Sequence, residues 1–372
     1  MKHLIIDTNV IYQDYALNRS RINVLCKSSV FLNHKVFVPE VVVDEFIKQY
    51  KEDLKAIQKD VKSLVKNGKK CMLNVDSLSW DFESAAESYS DSLYKRLAEL
   101  DITVIPYPKT SHKDIVAREL SHRKPFKDSK KGYRDVLIWE SVKEHALANP
   151  RAEIIFISEN SDDFSTKDKL NLHSDLIEDC QQAGIDIAKL SIRTKLYDYI
   201  DVNMASQSKE LEEQLEFIKD TDFYNNIEFD NTIPRYLLPD ILDVYINSAN
   251  YGASKDYIPN SYYKATITGI SMKCLEYKSL TKISDTDVLL RCVADVDIDV
   301  NALINKYDYQ LLPPESKPDV FDNNWNDLFY GITDCAVFKL YINIVCDKEF
   351  KFIESVDTDM ISAKYNTGYI FE

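Results

Sequence analysis

Five short runs of apolar, largely β-branched residues punctuate the first half of this chain: HLIID (3–7), KVFVPE (35–40), DITVIPYP (101–108), AEIIFIS (152–158) and IDIAKLSI (185–192). Such runs are too short for buried helices and fit strands covered on both faces. Between them lie segments whose apolar residues recur every three or four positions. In VVVDEFIKQYKEDLKAIQKDVKSLVKN these are Val42, Phe46, Ile47, Tyr50, Leu54, Ile57, Val61 and Leu64. Three β-branched residues open that segment and oppose a helix start there. Further helices are predicted over 76–100, 111–123, 132–148 and 174–184, the last with a Ser cap and a Gly stop. VIYQDYALN, after the first strand, reads as the beginning of another. Alternating strands and helices predict an α/β fold, a parallel doubly wound sheet with helices on both faces, through about residue 195. Sites in such sheets form at the carboxyl ends of the strands.

Beyond about residue 230 the period changes from three or four to two. YYKATITGISMKCLEY, DVLLRCVADVDIDV and CAVFKLYINIVCDKEFKFIES alternate apolar and polar residues and predict a mostly antiparallel β-rich C-terminal domain, with one small helix near 235–247. The charged stretch SKELEEQLEFIKDT (208–221) reads as a connecting helix. The expected organisation is therefore an enzyme-like domain over 1–195, a helical linker over 196–228 and an accessory domain over 229–372.

Charge divides the same way. Positions 1–200 hold 31 acidic and 31 basic residues, whereas positions 201–372 hold 30 and 15, so the whole net charge of −15 belongs to the second part. The acidic part repels polyanions, and only the neutral part can bind a phosphate backbone, through basic residues gathered on one face. The chain has 7 Gly and no Gly cluster, which argues against nucleotide-phosphate loops and dinucleotide cofactors. Its 7 Cys are widely spaced with no C-x-x-C pair, so reduced thiols in a cytoplasm are expected, not disulfides or zinc. No membrane-spanning stretch and no signal peptide is read.

The acidic residues of the first part fall at strand ends and helix starts. Asp7 ends the first strand, Asp44 and Glu45 begin the long helix after the second, Asp135 opens a helix, and Asp162 and Asp163 follow IIFIS. Singly, each has a plain structural explanation: a cap favoured by the helix dipole, a turn, or a solvated helix residue. Together they lie on one rim of the predicted sheet, where carboxylates repel unless a cation neutralises them. Hard oxygen ligands of this kind suit Mg²⁺ or Mn²⁺, which activate water and stabilise phosphoryl displacement.

The ordered set I-I-D-T-N, P-E-V-V-V-D-E-F, G-Y-R-D-V-L-I-W and F-I-S-E-N-S-D-D-F resembles the PIN-domain nuclease family over roughly residues 1–190. The resemblance implies a metal-dependent nuclease acting mostly on RNA and leaving 5′-phosphate and 3′-hydroxyl ends. It matches Asp7, Glu45 and Asp135 to the first three acidic ligands, and Asn9 to the polar residue that supports the first. In the fourth motif many members place Asp two residues after the Ser or Thr that ends the strand. Here that position is Asn160, and Asp163 matches the later acidic position, with Asp162 as a substitute.

The basic run KTSHKDIVARELSHRKPFKDSKKGYR (109–134) then gains a role. Arg123, Lys124 and Arg134, with Asn9 and Asn160, are the expected contacts to nucleic acid, and Phe126 or Tyr133 the expected base-stacking groups. His112 and His122 read as surface residues, and Leu137 and Trp139 as core. The expected function is a metal-dependent endonuclease, a ribonuclease before a deoxyribonuclease. Residues 229–372 are expected to regulate it through a protein partner or homo-oligomer, in a toxin or antiviral defence role by analogy. A catalytically degenerate module that binds nucleic acid or protein stays open, because of Asn160. A phosphatase with an Asp nucleophile is disfavoured, because Asn9 stands where its second Asp belongs.

Overall fold

The strands β1 (Lys2–Ile6), β2 (Lys35–Pro39), β3 (Ile102–Ile105), β4 (Glu153–Ile157) and β5 (Leu190–Arg193) form one sheet in the order β3-β2-β1-β4-β5. Every pairing is parallel. The computed structural model describes residues 1–11, 14–73, 75, 80–126, 132–204, 209–221, 223–224, 227–229, 261–365, 368 and 370–371. They fall into two compact units, Met1–Ala205 and Ser206–Glu372.

In the first unit β1, β2 and β4 are buried from their second residue onward, as strands covered on both faces must be. Of the edge strands, β5 leaves alternate residues partly open and β3 its two middle residues. All five expected strands are present. The helices are α1 (Ser20–Phe31), α2 (Glu40–Lys70), α3 (Phe82–Glu99), α4 (His112–Leu120), α5 (Tyr133–Ala148), the single turn α6 (Ser161–Phe164), α7 (Ser174–Gln182) and α8 (Leu196–Asn203). α2 starts before the three valines despite their poor propensity, because Val41, Val42 and Val43 are all buried. Each costs a few tenths of a kcal/mol as a helix former and returns roughly 1.5–3 kcal/mol on burial. Farther along the stripe Ile57 and Leu64 are exposed, so only the first part of α2 serves the core.

Two helix expectations are corrected. Among the described residues, the segment after β1 shows a 3₁₀ turn over Thr8–Val10, and the next helix starts at Ser20. Just before it, Asp14 accepts from the backbone N–H of Asn18 (3.1 Å) and Arg19 (2.8 Å). The predicted helix over 76–100 begins at Phe82, capped by Asp81, whose carboxylate accepts from Ser84 N–H.

The second unit begins with α9 (Lys209–Thr221) and a two-stranded pair, β6 (Phe223–Tyr224) with β7 (Ile227–Glu228). Four long antiparallel strands follow: β8 (Tyr262–Lys282), β9 (Asp287–Asn305), β11 (Phe329–Asp347) and β12 (Ile353–Tyr365). The short β10 (Asp319–Asp322) pairs with β11, and β13 (Ile370–Phe371) with β12. Alternate residues of β9, from Leu290 through Cys292, Ala294, Val296 and Ile298 to Val300, enter one apolar core, which is the expected period of two. Leu215 and Ile218 of α9 enter that same core, so this helix belongs to the second unit and is not a free connector. The small helix expected near 235–247 lies outside the described residues. No helix among the described residues is long and apolar enough to cross a membrane.

Candidate functional site

The chain leaves β1 toward β2 and β3 on one side and reaches β4 and β5 on the other, so the strand order reverses between β1 and β4. At such a point the two strand ends splay their following loops apart and open a crevice. Asp7 stands there, its N–H donating to Ile157 O (3.0 Å). Its carboxylate accepts from Thr8 N–H (2.7 Å) and from the Ser158 hydroxyl (2.5 Å). Asp7 is 4 % exposed. Burial pushes its carboxyl up to about 7, the Asp135 and Glu45 carboxylates push the same way, and the bonds from Ser158 and Thr8 oppose them.

Glu45 comes from the second turn of α2. Its Oε2 accepts from the Thr8 hydroxyl (2.9 Å), and its Oε1 is held by the Arg134 guanidinium. Asp135 lies in the first turn of α5, whose start depends on Gly132. Gly132 has φ +126°, and a Cβ there would lie 2.8 Å from Pro125 O. Asn160 caps the turn that carries Asp163, and its amide donates to both Asp135 Oδ1 (3.2 Å) and Asp163 Oδ2 (2.7 Å). Asp163 is buried and Asp162 is not, so it is Asp163 that shares a partner with Asp135. Asn9 accepts from Glu159 N–H (3.2 Å) and ties the loop after β1 to the loop after β4.

The basic run is only partly available to a ligand. Arg123, expected to contact nucleic acid, pairs with Glu178 (3.0 Å) and Asp179 (3.1 Å) of α7. Phe126 is buried against Ile115 and Val136, so it cannot stack on a base. Lys124 sends its ammonium to Asp162 O (2.8 Å) beside the acidic turn. The Arg134 side chain is 56 % exposed, and Tyr133 is exposed, stacking on His112 with ring centroids 6.1 Å apart. Trp139 is core, as expected, whereas Leu137 is only half-buried. Residues 127–131 of the run lie outside the described residues. Thr8, which links Asp7 to Glu45, is a site residue that the sequence reading passes over. Its signal is a hydroxyl directly after the strand-end Asp.

Among the described residues no group of three or more His, Cys, Asp or Glu side chains stands ready to hold a metal ion. Arg134 and Asn160 occupy oxygens that an ion would need. The donor set is nonetheless all hard oxygen, and burial, with the Asp135 and Glu45 carboxylates adding to it, holds Asp7 toward its protonated form. That chemistry fits a small divalent cation, which would replace the proton and the guanidinium as the neutralising charge.

Residues 4–164 match the family model described as PIN domain. No curated protein and no solved structure matches the chain. PIN domains are generally nucleases and typically use divalent metals. The match contains Asp7, Glu45, Asp135 and Asp163 together with the end of β1 and all of β2 to β4, and the N-terminal unit of this protein belongs to the PIN-domain family.

Proposed function

We propose that this protein is a cytoplasmic, metal-dependent endonuclease that hydrolyses phosphodiester bonds, with RNA as its substrate class. The observation that carries this reading is the gathering of Asp7, Glu45 and Asp135 where the strand order reverses: Thr8 joins Asp7 to Glu45, and, beside the burial that chiefly raises Asp7, the Asp135 and Glu45 carboxylates push it the same way. Mg²⁺ or Mn²⁺ would be held by Asp7, Glu45 and Asp135, with Asp163 beside them. When bound it supplies an activated water and charge neutralisation at the phosphate. Thr8 and Ser158 fix the two oxygens of Asp7, and Asn160 orients Asp135 and Asp163. Arg134, exposed at the rim, pairs with Glu45 or with a phosphate oxygen. Seven free cysteines support a reducing compartment.

The second unit is read as regulatory, through a protein partner or a second copy, in a toxin or defence context. Its support is the charge division, which leaves the whole surplus of −15 in residues 201–372. Asn160 favours a second reading, a domain that binds RNA or protein without cutting, because its amide satisfies the two carboxylates that a metal would otherwise claim.

The test is cleavage of end-labelled single-stranded RNA, structured RNA and single-stranded DNA in Mn²⁺, Mg²⁺ or EDTA, with wild type beside Asp7→Asn. Metal-dependent cutting that Asp7→Asn loses supports the nuclease. Equal cutting by both proteins overturns it, and binding without cutting supports the second reading.

A further inference from the structure

An open groove of about 500 Å³ runs from Glu45 and Arg134 along the start of α2 and α5. That is the size of clefts that hold small planar ligands, roughly 300–1,000 Å³. Its lining is mixed. Val41, Pro108 and Leu137 are apolar, and Tyr107 and Tyr133 present aromatic rings. Both tyrosines are about two-fifths exposed, Tyr107 at 43 % and Tyr133 at 43 %. Neither ring is loose. The Tyr107 hydroxyl donates to Asp44 (2.7 Å), and Tyr133 lies against His112 at an interplanar angle of 28°.

We propose that this groove is a nucleobase subsite, in which an unpaired base next to the scissile phosphate stacks on Tyr133. The inference rests on the nuclease reading for its register, because Glu45 belongs to both the acidic centre and the groove. A phosphate at the acidic centre leaves its neighbouring nucleoside within reach of the groove. Lys48 and Arg134 in the lining, now paired with Glu52 and Glu45, are the cations that a connecting backbone phosphate would draw on, beside the Asp44 and Glu45 carboxylates. A ring already held by a second ring loses little freedom when a base stacks on it, and every base has a face to offer, so the subsite selects strandedness before sequence. In a duplex the base stays in its own stack and cannot enter, unless the enzyme meets the cost of extruding it.

The test is equilibrium binding by the full-length protein in EDTA, where no metal-dependent turnover occurs. The probes are a fluorescent single-stranded oligoribonucleotide, the same strand in a duplex, and an abasic strand of equal length. Tyr133→Ala is expected to weaken single-strand binding about tenfold, the value of one base stack. Tyr133→Phe keeps the ring and is expected to bind as wild type. The Tyr133→Ala penalty should vanish on the abasic strand, and duplex should bind more weakly than single strand. Unchanged binding by Tyr133→Ala, or an equal penalty on the abasic strand, overturns the subsite. If the protein cuts RNA in Mn²⁺ while Tyr133→Ala binds normally, the subsite falls and the nuclease stands. If the base-dependent penalty appears without any metal-dependent cutting, the nuclease falls and the subsite stands.

Discussion

The Ser158 hydroxyl, at the end of β4, donates a 2.5 Å hydrogen bond to Asp7 at the end of β1. The bond spans the point where the strand order reverses and favours the ionised form of a carboxyl that burial pushes up to about 7. Removing it leaves that ionisation less favourable. Ser158→Ala is expected to raise the Asp7 carboxyl further and to weaken metal-dependent cleavage at pH 7 on the order of tenfold, the worth of one hydrogen bond to a charged group. Activity should recover toward wild type at pH 9. A pH profile of kcat/KM that does not move in Ser158→Ala would show that the bond does not tune Asp7.

Asp7 has a stability signature independent of catalysis. Its folded value lies above its ordinary 3.8, so between about 4 and 7 the folded chain keeps a proton that the unfolded chain has lost. Stability therefore falls as pH rises through that window, and the cost is complete above about 7. Asp7→Asn lacks this cost. In EDTA its Tm should exceed that of wild type by several degrees at pH 8, from up to about 4 kcal/mol, and equal it near pH 4. Mn²⁺ should raise the wild-type Tm at pH 8 more than that of the variant.

Asn160 donates to two carboxylates at once, and Asn160→Asp replaces that donor with a third negative charge. Without metal the variant should unfold at lower temperature than wild type, because like charges held beside the buried Asp163 repel. Added Mn²⁺ should close the gap. Thermal unfolding with and without the ion measures both, and a deficit that Mn²⁺ leaves untouched would place the metal elsewhere.

Gly132 sets the direction of α5 and thereby the placement of Asp135 three residues on. A Cβ at φ +126° is strained, and it would press on Pro125 O and Phe126 Cα. Gly132→Ala is expected to cost about 1–3 kcal/mol of stability and to lower kcat more than it raises KM. Denaturant unfolding and steady-state cleavage check the two effects.

Strand positions are legible because each buried parallel strand is a continuous apolar run, a purely local signal. α1 is not, since its buried face includes Ser28 and Ser29. Their hydroxyls are satisfied by Leu25 O within the helix, so the apolar residues Ile22, Val24 and Leu25 mark only part of its buried face. The valines that open α2 mislead in the other direction, because core burial outweighs their poor propensity.

The sequence by itself determined the order of the four acidic residues and their places at strand ends and helix starts, since both follow from neighbours along the chain. Which partner each one has was decided only by the fold. Ser158 reaches Asp7 across 151 positions, Arg134 reaches Glu45 across 89, and Asn160 joins Asp135 to Asp163. The same folding sent Phe126 into the core and Arg123 onto α7, while Tyr133 stayed at the surface. A basic or aromatic residue in a run carries no local mark of the direction it will face. That direction is set by the packing of elements distant in sequence.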